Sequence, residues 1–107
     1  MASAQSTVDY IVDQLGGPEV VTTKKMFGEY GLYFESKMVA LVCDGHLYIK
    51  PSASGRQFIG TTTEAPPYPG AKPWFRISGE HWDDGAWLSQ LVRITAAELP
   101  LPKKKQK

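Results

Sequence analysis

Gly31-Leu32-Tyr33-Phe34-Glu35-Ser36-Lys37-Met38-Val39-Ala40-Leu41-Val42-Cys43-Asp44-Gly45-His46-Leu47-Tyr48-Ile49 holds three short apolar runs separated by two polar connections. Asp44-Gly45 is the strongest local signal in the chain. This pair readily takes the positive φ values of a two-residue hairpin turn, and apolar runs flank it on both sides. Glu35-Ser36-Lys37 is a second tight link. Parallel neighbours would need longer crossovers, so the three runs read as an antiparallel meander. Upstream, Val20-Val21-Thr22-Thr23 is β-branched and suits a further strand, continued or closed by Lys24-Lys25-Met26-Phe27. Gly28-Glu29-Tyr30-Gly31 reads as a break between strands, with two permissive glycines.

The flanks change period. Val8, Ile11, Val12 and Leu15 form one apolar stripe at i, i+3, i+4 and i+7, which predicts a helix over Ser6–Leu15. Ser6 is placed to cap it, with Asp9 three residues on. Gly16-Gly17-Pro18 ends it. Pro51 to Gly60 fits a short helix. Thr61 to Pro73 reads as a loop, because Pro66, Pro67, Pro69 and Pro73 rule out a regular ladder there. Trp74-Phe75-Arg76-Ile77 is a returning strand that Ser78-Gly79 stops. Asp83 or Asp84 then caps a last helix carrying Trp87, Leu88, Leu91, Val92 and Thr95 on one face.

These elements, in the order α-β-β-β(-β)-α-β-α, specify an α+β fold: a two-layer sandwich of a mainly antiparallel sheet with helices on one face. The other face is expected to be solvated or a contact surface. At 107 residues the chain suits one domain, over residues 6–99, with disordered ends at 1–5 and 100–107. Its 42% hydrophobic content excludes a mostly disordered chain, and a single cysteine excludes an intramolecular disulfide framework. No run approaches the roughly 20 apolar residues of a membrane helix, and the start lacks a signal-peptide core, so a cytoplasmic location without membrane contact is expected.

The formal net charge of +1 conceals an asymmetry. Lys103, Lys104, Lys105 and Lys107 hold four of the 12 basic residues. Without them, 8 basic residues face 11 acidic ones, and residues 1–102 carry a formal −3. A coherent basic face for nucleic acid is therefore not expected from the folded part.

Each chemical constellation has a blander competitor. Cys43 and His46 could pair as thiolate and imidazole, but alternation of side chains along strands is expected to separate them, and a free cysteine usually behaves as a small buried hydrophobe. Glu80-His81-Trp82-Asp83-Asp84 could bind a metal or move protons. Aspartates just before a helix are better explained as caps, and no second histidine or cysteine pair has ligand spacing. No phosphate-loop pattern opens a helix. Pro66-Pro67-Tyr68-Pro69 reads as a stiff surface loop in preference to a polyproline ligand. No catalytic residue, cofactor or metal is expected.

Lys25-Met26-Phe27-Gly28-Glu29-Tyr30-Gly31-Leu32-Tyr33, Met38-Val39-Ala40-Leu41-Val42 and Gly45-His46-Leu47-Tyr48-Ile49-Lys50 closely resemble the N-terminal domain of the TfoX/Sxy family, bacterial regulators of natural competence. Pro67-Tyr68, Trp74-Phe75-Arg76-Ile77 and the helix from Asp84 to Ala97 extend the resemblance over about residues 6–99. It implies a two-layer fold like that of secretion chaperones, no catalytic residues, and a stand-alone relative of the first domain of the full-length regulators. A non-enzymatic regulatory domain that contacts a protein partner, or a second copy of itself, is the expectation. The expected interaction surface comprises Lys24, Lys25, Tyr30, Tyr33, Tyr68 and Trp74. The alternative is a nucleic-acid-binding accessory protein using the lysine tail and exposed aromatics.

Overall fold

Phe34 pairs with Lys37, which leaves Glu35 and Ser36 as a two-residue turn in which both take positive φ, 52° and 69°. Two left-handed residues in succession make the primed turn whose twist matches its flanking strands. A computed structural model, describing residues 5–26, 29–43, 45–60 and 63–99, sets this hairpin within a six-stranded sheet. The strands are β1 (Val21–Met26), β2 (Glu29–Phe34), β3 (Lys37–Cys43), β4 (His46–Ile49), β5 (Thr63–Ala65) and β6 (Trp74–Ile77). Their spatial order is β1-β2-β3-β4-β6-β5, and every neighbouring pair is antiparallel. The helices are α1 (Gln5–Gln14), α2 (Ala53–Ile59), α3 (Gly79–Trp82) and α4 (Gly85–Glu98). The fold class is the expected α+β.

Several local details differ from expectation. Thr63–Ala65 forms β5 inside the segment read as a loop. It pairs only with β6 and ends before Pro66, so the prolines never enter the ladder. Ser78-Gly79 does not simply stop β6, because Gly79 opens the single turn of α3. Ser6 lies within α1 and is not its cap. Glu29, Tyr30 and Gly31 belong to β2, so no break separates them from the strand. Of the expected disordered ends, 1–5 and 100–107, Gln5 instead opens α1; residues 1–4 and 100–107, together with Phe27, Gly28, Asp44, Thr61 and Thr62, lie outside the described residues.

One core joins all four helices to one face of the sheet. Val8, Ile11 and Val12 of α1 and Leu88, Leu91 and Val92 of α4 are buried against Val21, Leu32, Val42, Leu47, Ile49, Phe75 and Ile77. Phe58 and Ile59 of α2 and Trp82 of α3 pack on the same cluster. Burying side chains of this size stabilises by about 1.5–3 kcal/mol each, which makes this layer the main source of stability. Thr95, the buried polar residue among them, donates its hydroxyl to the Leu91 carbonyl at 2.8 Å.

The helix junctions explain some composition. Gly17 N–H donates to the Val12 carbonyl at 2.9 Å and Gly16 N–H to that of Asp13 at 3.1 Å, which closes α1 with paired C-terminal bonds. Gly85 opens α4 where a Cβ would lie 2.8 Å from the Gln14 carbonyl oxygen, so only glycine allows α4 this close to α1. Asp84 accepts from Trp87 N–H at 3.1 Å, the expected cap.

A tertiary cap fixes α2. The N–H groups of Ala53 and Ser54 donate to the Glu98 carboxylate at 3.0 and 3.1 Å, and the Ser54 hydroxyl donates to it as well. The Ser54 hydroxyl, helped by the two backbone N–H groups, favours the anion and outweighs the opposing desolvation, holding Glu98 below its usual range. A carboxyl depressed in the folded state contributes stability above its unfolded value and loses it as pH falls through the folded value. Acidification below about pH 4.5 should therefore loosen α2 from α4. Urea denaturation of wild type and Glu98→Gln at neutral and acid pH checks this; the variant should lose part of the acid sensitivity.

Candidate functional site

The second face of the sheet carries its own apolar cluster. Leu41 pairs with Tyr48 across β3 and β4, and the side chains of Leu41, Cys43 and Tyr48 are all buried there, between 4% and 6% exposed. Met38, Ala65 and Trp74 pack around them and remain partly open to solvent. No described helix residue belongs to this group, so the side chains shield one another from within the sheet. A residue shift between Leu32 and Tyr33 sets up this arrangement. It makes Val39 the extra residue of a bulge and keeps Tyr33 opposite Met38.

Register then places the charges. Lys24 pairs with Gly31, Gly31 with Leu41, Leu41 with Tyr48, Tyr48 with Arg76 and Arg76 with Thr63. Directly paired residues share a face, so this row crosses the whole sheet with cations on either side of an apolar centre. Lys50 joins them, its Nζ 6.0 Å from the centre of the Trp74 ring.

Of the residues expected to form an interaction surface, Lys24, Tyr33 and Trp74 lie on this face. Tyr30 does not. It is 7% exposed, faces the helical core and donates its hydroxyl to Gln5 Oε1 at 3.0 Å. Lys25, paired with Tyr30, also stands on the helical side, its Nζ 5.9 Å from the Tyr30 ring centre. Tyr68 lies in the β5–β6 loop, 56% exposed. Met38, Leu41, Cys43 and Tyr48 were missing from the expected surface. The signal for the first three was the unbroken apolar run Met38–Cys43, since a strand without alternation has apolar neighbours on both faces.

Cys43 and His46 are direct cross-strand partners, so they share a face, contrary to the expected separation. Cys43 is buried, and the exposed His46 ring meets Tyr48 edge-on at 6.2 Å. His81 stacks on Trp87 at 4.3 Å, Trp82 Nε1–H donates to the Ile77 carbonyl at 3.1 Å, and Asp83 accepts from the Tyr10 hydroxyl. That bond, with the nearby negative charge of Asp83, pushes the Tyr10 phenol up. Among the described residues no three His, Cys, Asp or Glu side chains gather in a way that could hold a metal ion. No described helix is long and apolar enough to cross a membrane.

A protein from Spirochaeta aurantia described as "Uncharacterized 12.7 kDa protein in trpE 5'region" is 38% identical over 103 residues, spanning 96% of this chain and 89% of that protein. Residues 13–99 match the TfoX N-terminal domain, which takes in α4, all six strands and the end of α1. By that match, the chain belongs to the TfoX N-terminal domain family.

Proposed function

We propose that the protein is a non-enzymatic regulatory domain of the TfoX type, acting by docking a protein partner on the helix-free face of its sheet. One observation carries this reading: the apolar cluster of Leu41, Cys43 and Tyr48, flanked by the half-open Met38 and Trp74, on a face that no described helix packs against. Apolar surface with a polar rim is a common mark of a contact site. Membership of the family links the domain to regulation of competence for DNA transformation, and the docked partner is the means of that regulation.

Nucleic acid is the weaker occupant. Stacking of bases needs open ring faces. Tyr48 is buried, Tyr33 and Trp74 are half-buried, and Lys50 already lies over the Trp74 ring.

Immobilised wild type and Met38→Glu, exposed to nuclease-treated lysate of the source cell, test the proposal. Wild type should retain a discrete protein that the variant releases, while Gln90→Glu on the exposed side of α4 should retain it. Retention lost on nuclease treatment, or equal in all three proteins, contradicts it.

A further inference from the structure

We infer that a second copy of this chain pairs with β1, edge to edge and antiparallel, with Thr23 at the two-fold axis. β1 bonds only β2 and bounds the sheet, and Thr22, Thr23, Lys24 and Lys25 along it are exposed. Register tells which backbone groups are open. Phe34 and Lys37 close a two-residue turn, so Phe34 bonds β3 and turns its N–H and C=O away from β1. Alternation along the ladder then directs Thr22 and Lys24 to β2, and the backbone groups of Val21, Thr23 and Lys25 outward. In agreement, Val21 N–H donates to the Gly17 carbonyl at 3.1 Å, outside the sheet. Its carbonyl, with both groups of Thr23 and of Lys25, forms an edge that templates another strand.

Charge selects which strand. On the helical side α1 runs against β1: Gln5 meets Tyr30, the cross-strand partner of Lys25, and Gly17 meets Val21. Asp13 therefore stands at the Val21 end. The groove it forms with Asp9, Val21 and Thr23 is lined by no lysine or arginine among the described residues. The cations of that layer around β1 and β2 are turned elsewhere: Lys25 lies by Tyr30, Arg93 by Phe34, and Lys37 donates to the Ala96 carbonyl. On the helix-free side Glu19 and Glu35 share a groove with Thr22 and one cation, Lys24. Glu29 is set one strand in, opposite Met26. One end of the edge thus has carboxylates in excess, and the other carries the lysines.

Pairing centred on Thr23 turns these ends toward each other. Lys25 of the second copy comes opposite Val21, beside the Asp13 groove, and its Lys24 comes opposite Thr22, which sets two lysines against Glu19 and Glu35. Paired strands lie about 4.8 Å apart, within reach of a lysine stem. Thr23 exchanges two hydrogen bonds with its copy, and each Val21 carbonyl accepts from Lys25 N–H. A register centred on Lys24 would instead oppose two like charges directly. Lysines that discourage most edge contacts here favour a single register. Thr23 faces the helical layer yet is exposed, so α1 is set back from the edge and the two α1 helices flank the shared ladder. The two-fold closes, so assembly stops at two copies.

Sedimentation of the full chain tests this. The wild type should form a dimer as concentration rises, with affinity falling as salt rises. Thr23→Pro removes an outward donor without touching the bonds to β2 and should be monomeric. Lys25→Asp and Asp13→Lys should each weaken the dimer by at least about tenfold, because each creates two like-charge contacts. Mixing these two variants should restore it, since the reversed charges then face one another. A wild type that stays monomeric, single variants that dimerise as it does, or folded variants that stay apart when mixed overturn the inference. Should a reversal unfold the chain, the salt dependence of the wild type and weakening by Lys25→Gln decide it. Met38→Glu should dimerise like the wild type; a dimer lost there belongs to the helix-free face and overturns edge pairing. Docking and edge pairing use different surfaces, so each can fail alone.

Discussion

Phe75→Ala is expected to destabilise the fold by about 3–5 kcal/mol, a large part of the roughly 5–15 kcal/mol that keeps a domain folded. Phe75 is fully buried in β6, between β4 and β5, with its ring beneath α2. The Arg56 guanidinium lies 5.1 Å from the ring centre, and a Cβ on Gly55 would touch its edge at 3.6 Å. Surroundings clamped from strand and helix sides cannot collapse into the space left by the ring, so the cavity penalty adds to the lost burial. Urea unfolding followed by circular dichroism measures the loss. A change below about 1 kcal/mol would mean that α2 does not seal this part of the core.

Leu41→Ala carries the second large effect, about 2–5 kcal/mol, toward the lower end of that range. Leu41 is 4% exposed although no described helix covers it; Tyr48 is its cross-strand partner, and Met38 and Trp74 pack on its cluster. Met38→Ala, at a half-open position, should cost less than about 1 kcal/mol. The contrast separates two layers of one surface: buried residues that hold the sheet together and half-open ones that the proposal assigns to contact. Substitutions that test the proposed docking therefore belong at Met38, where loss of contact is not confused with loss of fold. Similar losses for Leu41→Ala and Met38→Ala would remove that distinction.

The hairpins, α1, α4 and β6 were legible because each has a local cause: Gly45, the Gly16-Gly17-Pro18 stop, the Asp84 cap, and the 3.6 and 2.0 periods. Elements that depend on tertiary pairing were not. β5 has three residues and exists only because β6 returns beside it. Tyr30 is expected on the contact surface, but the pairing of β2 with β1 and β3 turns it inward. The aromatic residues of the candidate face were visible in the sequence, but its aliphatic centre was hidden in an apolar run with no alternation to assign sides. The Leu32/Tyr33 shift, which decides that Met38 rather than Val39 faces outward, has no marker in composition.

A photoreactive amino acid placed at position 38, and separately at position 90 on α4, tests the docking claim most directly when the protein is irradiated in its own cells. Docking on the helix-free face predicts one discrete protein adduct from position 38 and none from position 90. An adduct from position 90 alone, or only nucleic acid from position 38, would contradict it.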